Sequence, residues 1–124
     1  MVYHKSWGGY SDSTAYLNNI FYSAQPGHSV DQGKSTRNYF DNNLYYGRSK
    51  NGPVDRNGIE GDPLFAGGTG MGTGWKSWIG FLLREGSPCI DAGKEIEGMP
   101  AEDIRGIRIT GTPDIGPLDF TNIK

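Results

Sequence analysis

The sequence is short of cysteine, of long apolar runs and of excess charge of either sign, and each shortage removes a class of protein. A single cysteine, Cys89, excludes an internal disulfide framework and a multi-cysteine metal site. No apolar run reaches the length of a membrane span, and no signal-type apolar region follows Met1. Twelve Lys and Arg stand against 14 Asp and Glu, a net charge of −2, so no basic footprint invites nucleic acid. Apolar residues make up only 35% of the 124, while 20 are glycine, which argues against long helices and for an architecture of turns and short strands.

What is present points the same way. Aromatic residues at 12% separate the chain from disordered ones, and the length suits one domain with a modest core. Asn18-Asn19-Ile20-Phe21-Tyr22 returns 24 residues later as Asn42-Asn43-Leu44-Tyr45-Tyr46, and Gly61-Asp62-Pro63-Leu64-Phe65 is a third variant. A solenoid coil of two or three short strands needs about this many residues, and like strands then stack in register. Ile20, Leu44 and Leu64 are expected to form an inward ladder, with Phe21, Tyr45 and Phe65 on an adjacent outer or corner ladder. Asn18 and Asn42 are expected at corners, bonding backbone of the next coil. Periodicity alone leaves a β-sandwich with similar strands equally open. Asn51-Gly52 and Asn57-Gly58 read as tight turns, and 67–74 as a glycine loop without the Lys-Ser/Thr of a phosphate-binding loop. The apolar segment 75–83 reads as a strand with Phe81 and Leu83 inward, or as the start of a short helix.

The tail carries the most specific pattern. Gly86-Ser87-Pro88-Cys89-Ile90-Asp91-Ala92-Gly93 is followed by Asp103-Ile104-Arg105-Gly106-Ile107-Arg108 and by Gly111-Thr112-Pro113-Asp114-Ile115-Gly116, short apolar pairs between turn-forming residues, read as brief strands joined by corners. It resembles the C-terminal end of secreted right-handed parallel β-helix proteins of the pectate-lyase-like superfamily, whose tail reads G-S-P-x-I-D-A-G, D-x-x-G-x-x-R and G-x-x-D-I-G-A-x-E. Gly86 to Gly93 fits throughout; Arg108 comes one residue early, Pro117 replaces the usual Ala and Asp119 the usual Glu. The resemblance implies an all-β fold, a right-handed parallel β-helix of two to three coils over 1–84, with 85–124 a C-terminal capping tail of the same domain. It also implies an extracellular or cell-surface location. Two or three coils leave an open end of unpaired backbone, so upstream β-helix coils or a second copy are the expected partners there.

Candidate chemistry falls into acids and rings. Glycoside hydrolysis needs two carboxylates with separate roles, and among Asp31, Asp41, Asp55, Glu60 and Asp62 the pair Asp41 and Asp62 is singled out, against the alternative that both are corner residues bonding backbone. Asp91, Asp103 and Asp114 are expected to tie turns and pair with Arg105 or Arg108, and Cys89 to be a buried thiol. His4 and His28 are isolated and no EF-hand loop is present, so no cofactor is expected, calcium being the one ion that Asp, Asn and backbone carbonyls leave open. Trp75, Trp78, Trp7, Tyr10 and Tyr46 are candidate carbohydrate contacts, because pyranose C–H faces stack on such rings, with Trp75 and Trp78 the foremost platform. Three functions remain in view: a β-helix portion that binds or stabilises a polysaccharide-directed protein, a glycoside hydrolase or polysaccharide lyase, and a structural or adhesive surface module.

Overall fold

The structure, a computed structural model, describes residues 2–3, 10–25, 30–47, 52–67 and 75–121, and of 2–3, 31 and 75–77 the backbone alone. It forms two compact units, Met1–Gly61 and Asp62–Lys124, so residues 62–84 group with the tail. The first unit is built of parallel strands of two or three residues: β1 (Val2–Tyr3), β2 (Ala15–Leu17), β3 (Ile20–Tyr22), β4 (Val30–Asp31), β5 (Tyr39–Asp41), β6 (Leu44–Tyr46) and β7 (Ile59–Glu60). They make three small sheets, β1-β4, β2-β5 and β3-β6-β7. Among the described residues the first unit is thus all-β in its regular structure, with parallel pairing throughout these sheets.

The 24-residue repeat sets the register. Ala15 to Leu17 pair with Tyr39 to Asp41, and Ile20 to Tyr22 with Leu44 to Tyr46. Each repeat has left-handed residues at the same places: Ser13 and Arg37 (φ 56° and 54°) before one strand, Asn18 and Asn42 (φ 55° and 53°) between the two. Asparagine tolerates this conformation because its short side chain bonds locally, so the corner sits where the sequence repeats Asn-Asn. A side-chain ladder runs through the next residue. Fully buried Asn43 accepts from the backbone N–H and side-chain amide of Asn19 at Oδ1 (2.9 and 3.2 Å) and donates from Nδ2 to the Tyr16 carbonyl and Asp55 Oδ2 (both 2.8 Å). Those four bonds use the whole capacity of one carboxamide.

Two expectations about these rungs are corrected. Phe21 and Tyr45 are core rather than outer residues, at 7% and 1% exposure, stacked with ring centroids 5.2 Å apart. With Val30 and Phe40 they form a cluster against which Tyr16 packs. Leu44 is fully buried as well, so both faces of the central strand β6 are covered. The third rung is Ile59–Glu60 on Leu44–Tyr45, not Leu64–Phe65. The turn at Asn57-Gly58 returns the chain sooner than a 24-residue period would. Leu64 lies instead in the left-handed region (φ 54°), its N–H held by Asp62, and Phe65 bridges Leu83 in antiparallel sense.

The second unit is mostly turns. Its segment Trp75–Phe81 is a 3-10 helix, the helical of the two options open for it; Leu83 beyond it is buried, while Phe81 stays 37% exposed with its ring edge-on to Phe65. The tail forms no strands among the described residues, only the antiparallel bridge Glu102↔Arg108, so Cys89 sits in a turn. Side chains replace the expected ladders. Ser87 Oγ donates to the Pro63 carbonyl (2.7 Å) and accepts from the Cys89 N–H. Backbone bonds from Gly93 to Pro113 and from Ile115 to Cys89 tie the first and third motifs together.

Candidate functional site

Strand β5 places a side chain that combines a broad exposed ring with a fixed orientation. Alternation puts Phe40 into the core and Tyr39 and Asp41 on the other side. Tyr39 is 53% exposed, yet its hydroxyl donates to Asp41 Oδ2 at 2.8 Å. Asp41 is only 3% exposed, and its Oδ1 accepts from Asn57 Nδ2 at 2.7 Å. A buried carboxylate thus holds the ring from one oxygen and the Asn57 turn from the other. A ring fixed in this way offers its face without losing further rotamer freedom on contact. Its partner across the ladder is Ala15, also exposed, whose methyl leaves the surface beside the ring low.

The sequence candidates are distributed as follows. Asp41 is engaged by Tyr39 and Asn57, while Asp62, exposed, closes a short turn by accepting the Leu64 N–H at 2.8 Å. The two acids lie in different units, each bonded to a side chain or turn. Asp55 has the most lopsided environment of the acids: its Oδ2 accepts from the Asn43 N–H, Asn43 Nδ2 and the Tyr45 hydroxyl, while its buried Oδ1 has no hydrogen-bond partner among the described residues. Tyr46 is half-buried and stacks on Tyr22 with centroids 4.8 Å apart, and Tyr10 is 46% exposed. Trp78 is half-buried under the Arg105 guanidinium, 6.0 Å from its ring centroid, and its indole N–H is buried without a partner among the described residues. Trp7 and the Trp75 side chain lie outside the described residues. Tyr39 was not among the sequence candidates; the signal for it is the polar-apolar-polar alternation of Tyr39-Phe40-Asp41 ahead of the Asn-Asn corner.

Electrostatics concentrate in the tail, and there they serve structure. Asp103 accepts from the N–H groups of Arg105, Ile107 and Asp119 and from the Arg105 guanidinium. Burial pushes its pKa up, but the Arg105 side chain and the three backbone donors outweigh that and hold it below the usual 3.8. Arg105 also donates to the Asp119 carbonyl. Asp114, 6% exposed, accepts from the N–H of Asp91 (2.7 Å) and of Phe120 (2.5 Å); burial raises its pKa, and burial followed by the charge of Asp114 raises that of Asp119. The Cys89 thiol, fully buried, is pushed up to about 11, chiefly by burial, which suits a small apolar residue and not a nucleophile.

Among the described residues, no three His, Cys, Asp or Glu side chains gather to hold a metal ion, and no helix is long and apolar enough to cross a membrane. No family model matches the chain, and no curated protein matches it closely enough to be called a relative.

Proposed function

We propose that this chain is the C-terminal portion of a secreted, right-handed parallel β-helix protein directed at polysaccharide, and that it contributes sugar contacts rather than a catalytic pair. The fold reading is supported by parallel pairing at a 24-residue spacing in two neighbouring sheets with left-handed corners at matching positions. The observation that carries the ligand is Tyr39: an amphipathic ring, half exposed, locked by a buried carboxylate on the outer side of a parallel pair. A pyranose would lay its C–H face on that ring, and Tyr10 offers a second exposed ring in the same unit. Trp75 remains a candidate, whereas Trp78 is engaged by Arg105. In this reading the carboxylate of Asp41 orients Tyr39, and Asp62 shapes a turn.

The test is a panel of acidic and neutral polysaccharides read two ways, by retardation in affinity gels and by release of reducing or unsaturated ends. Retardation without turnover is expected. Tyr39→Ala should weaken the dissociation constant by about tenfold, the worth of one stacked ring, while its circular dichroism stays native. Turnover would transfer the case to a hydrolase or lyase, and silence in both assays to a structural or adhesive module.

A further inference from the structure

The turn ahead of β7 carries a reactive pair. Asp55 to Gly58 form a tight turn in which the Gly58 N–H donates to the Asp55 carbonyl at 3.3 Å, and Asn57 within it is exposed. In an Asn-Gly pair, no side chain shields the backbone nitrogen that can attack the preceding carboxamide. The fold cannot give this glycine up. A Cβ at Gly58 would lie 2.8 Å from Asp55 Cγ and 3.1 Å from the Tyr45 ring. Asp55 has no freedom to retreat, since its Oδ2 accepts from the Asn43 N–H, Asn43 Nδ2 and the Tyr45 hydroxyl. The asparagines of the two repeats are followed by larger residues: Asn18 by Asn19, Asn19 by Ile20, Asn42 by Asn43 and Asn43 by Leu44.

Both reacting groups of the pair are tied in the fold. The Gly58 nitrogen is engaged in the turn, and Asn57 Nδ2 donates to Asp41 Oδ1 at 2.7 Å. Asp41 is 3% exposed, and its other oxygen accepts from the Tyr39 hydroxyl. This clasp has a chemical sense, because it requires a donor at position 57. A carboxylate there would face the buried carboxylate of Asp41, and like charges in hydrogen-bond contact repel.

We propose that Asn57 is a self-modifying site gated by its bond to Asp41, and that its deamidation opens the turn and loosens the carboxylate that orients Tyr39. When the turn opens, the Gly58 nitrogen gives up its proton and bonds to Asn57 Cγ. The Cγ–Nδ2 bond breaks, and that nitrogen leaves as ammonia, carrying the proton. Water then opens the five-membered imide at either carbonyl, which leaves aspartate or isoaspartate at position 57. The change runs one way, since an ionised carboxylate is an acceptor only and cannot donate to Asp41. The modification stands on the turn and the clasp alone; its consequence for a bound sugar rests on the reading of Tyr39 given above.

The test holds the full chain and a synthetic peptide of residues 53–61 warm at neutral pH and follows the exchange of NH2 for OH by mass spectrometry. Tryptic cleavage after Arg56 separates Asn57 from the chain's other Asn-Gly pair, Asn51-Gly52. Reaction at Asn57 is expected in the chain, about tenfold or more slower than in the peptide, the worth of one hydrogen bond to a charged group. Asn57→Asp, which makes the product directly, should speed hydrogen exchange at Gly58 and Ile59 by about tenfold. Asn57→Ala removes the donor without adding a charge and should speed it less. Equal rates in chain and peptide overturn the proposal, as does a chain that stays unreacted long after the peptide has reacted completely. Equal exchange in Asn57→Asp and Asn57→Ala overturns it too. Retardation by polysaccharide, run on the native chain beside Asn57→Asp, reports separately: a native chain that is not retarded sinks the sugar reading and leaves the deamidation result standing.

Discussion

At the scale of single residues, the chain spends glycine where a side chain has no room. Gly47 follows β6 with φ +74°, and a Cβ there would lie 2.4 Å from the Ser23 carbonyl oxygen, which is fixed by its place one repeat earlier. Gly98 has nearly the same φ, +77°, with nothing within 4 Å of its would-be Cβ. The two positions separate backbone strain from collision. Gly98→Ala should cost about 1 kcal/mol, the penalty of a left-handed conformation for an L-residue. Gly47→Ala carries that penalty and a clash with backbone, and should cost about 3 kcal/mol or more. Urea denaturation of both variants checks this, and equal losses would show that the repeats shift apart at little cost. Leu64 is the opposite case, a bulky residue held at φ 54° by the Asp62 carboxylate on its N–H. Such a site persists only where the surroundings over-determine it, which gives Asp62 a structural task.

At the scale of elements, strands of three residues cannot hold themselves together, and the polar rung between them does what length does in a longer ladder. Asn43, on the second rung, joins Asn19 and Tyr16 of the first to Asp55 of the third. Asn43→Ala would take the acceptor from the Asn19 N–H and one donor each from the Tyr16 carbonyl and Asp55 Oδ2, the latter keeping the Asn43 N–H and the Tyr45 hydroxyl. A lost bond at a buried group costs about 1–3 kcal/mol, so the first unit should lose about 2 kcal/mol or more. Asn43→Ser, which keeps one donor and acceptor, should recover part of this. The measurement is hydrogen exchange at amides of β2, β3, β5 and β6, where loss confined to residues beside 43 would deny the rung its role. The sequence made these repeats visible because Asn-Asn and its flanking apolar triplets recur at one spacing. It hid the third rung because residues 48–58 shorten the period, and Ile59-Glu60 lacks the aromatic mark that drew attention to Leu64-Phe65. The tail was legible as Gly, Pro and Asp corners joined through Asp103 and Arg105, but its apolar pairs suggested strands where the structure has turns. At the candidate site, Asp41 was picked out by its neighbours Asn42-Asn43 and Tyr39 was not, since a ring's exposure and its bond to a side chain two residues on follow only from the strand.

At the scale of the whole molecule, a chain with only 35% apolar residues leans on buried polar braces, and in the tail these braces titrate. Two opposing groups are involved. Asp103 has a pKa below 3.8 in the fold, so it contributes stability above the unfolded value of about 3.8, and that contribution is lost as pH falls through the lower folded value. Asp114 and Asp119 have raised values, so their charged forms penalise the fold above those values, and the penalty is relieved as pH falls through them. The midpoint of thermal unfolding is therefore expected to rise modestly as pH drops from neutrality, to pass a maximum above 3.8, and to fall steeply below it. Asp119→Asn should flatten the rise, since it removes one of the two penalised charges. Asp103→Asn should lower the midpoint at neutral pH and blunt the acid loss, because the side chain that binds Arg105 and three backbone N–H groups no longer carries a charge to lose. A midpoint that only declined from neutrality downward would mean that Asp114 and Asp119 bear their charge in the fold at no cost, and that their burial is open to water.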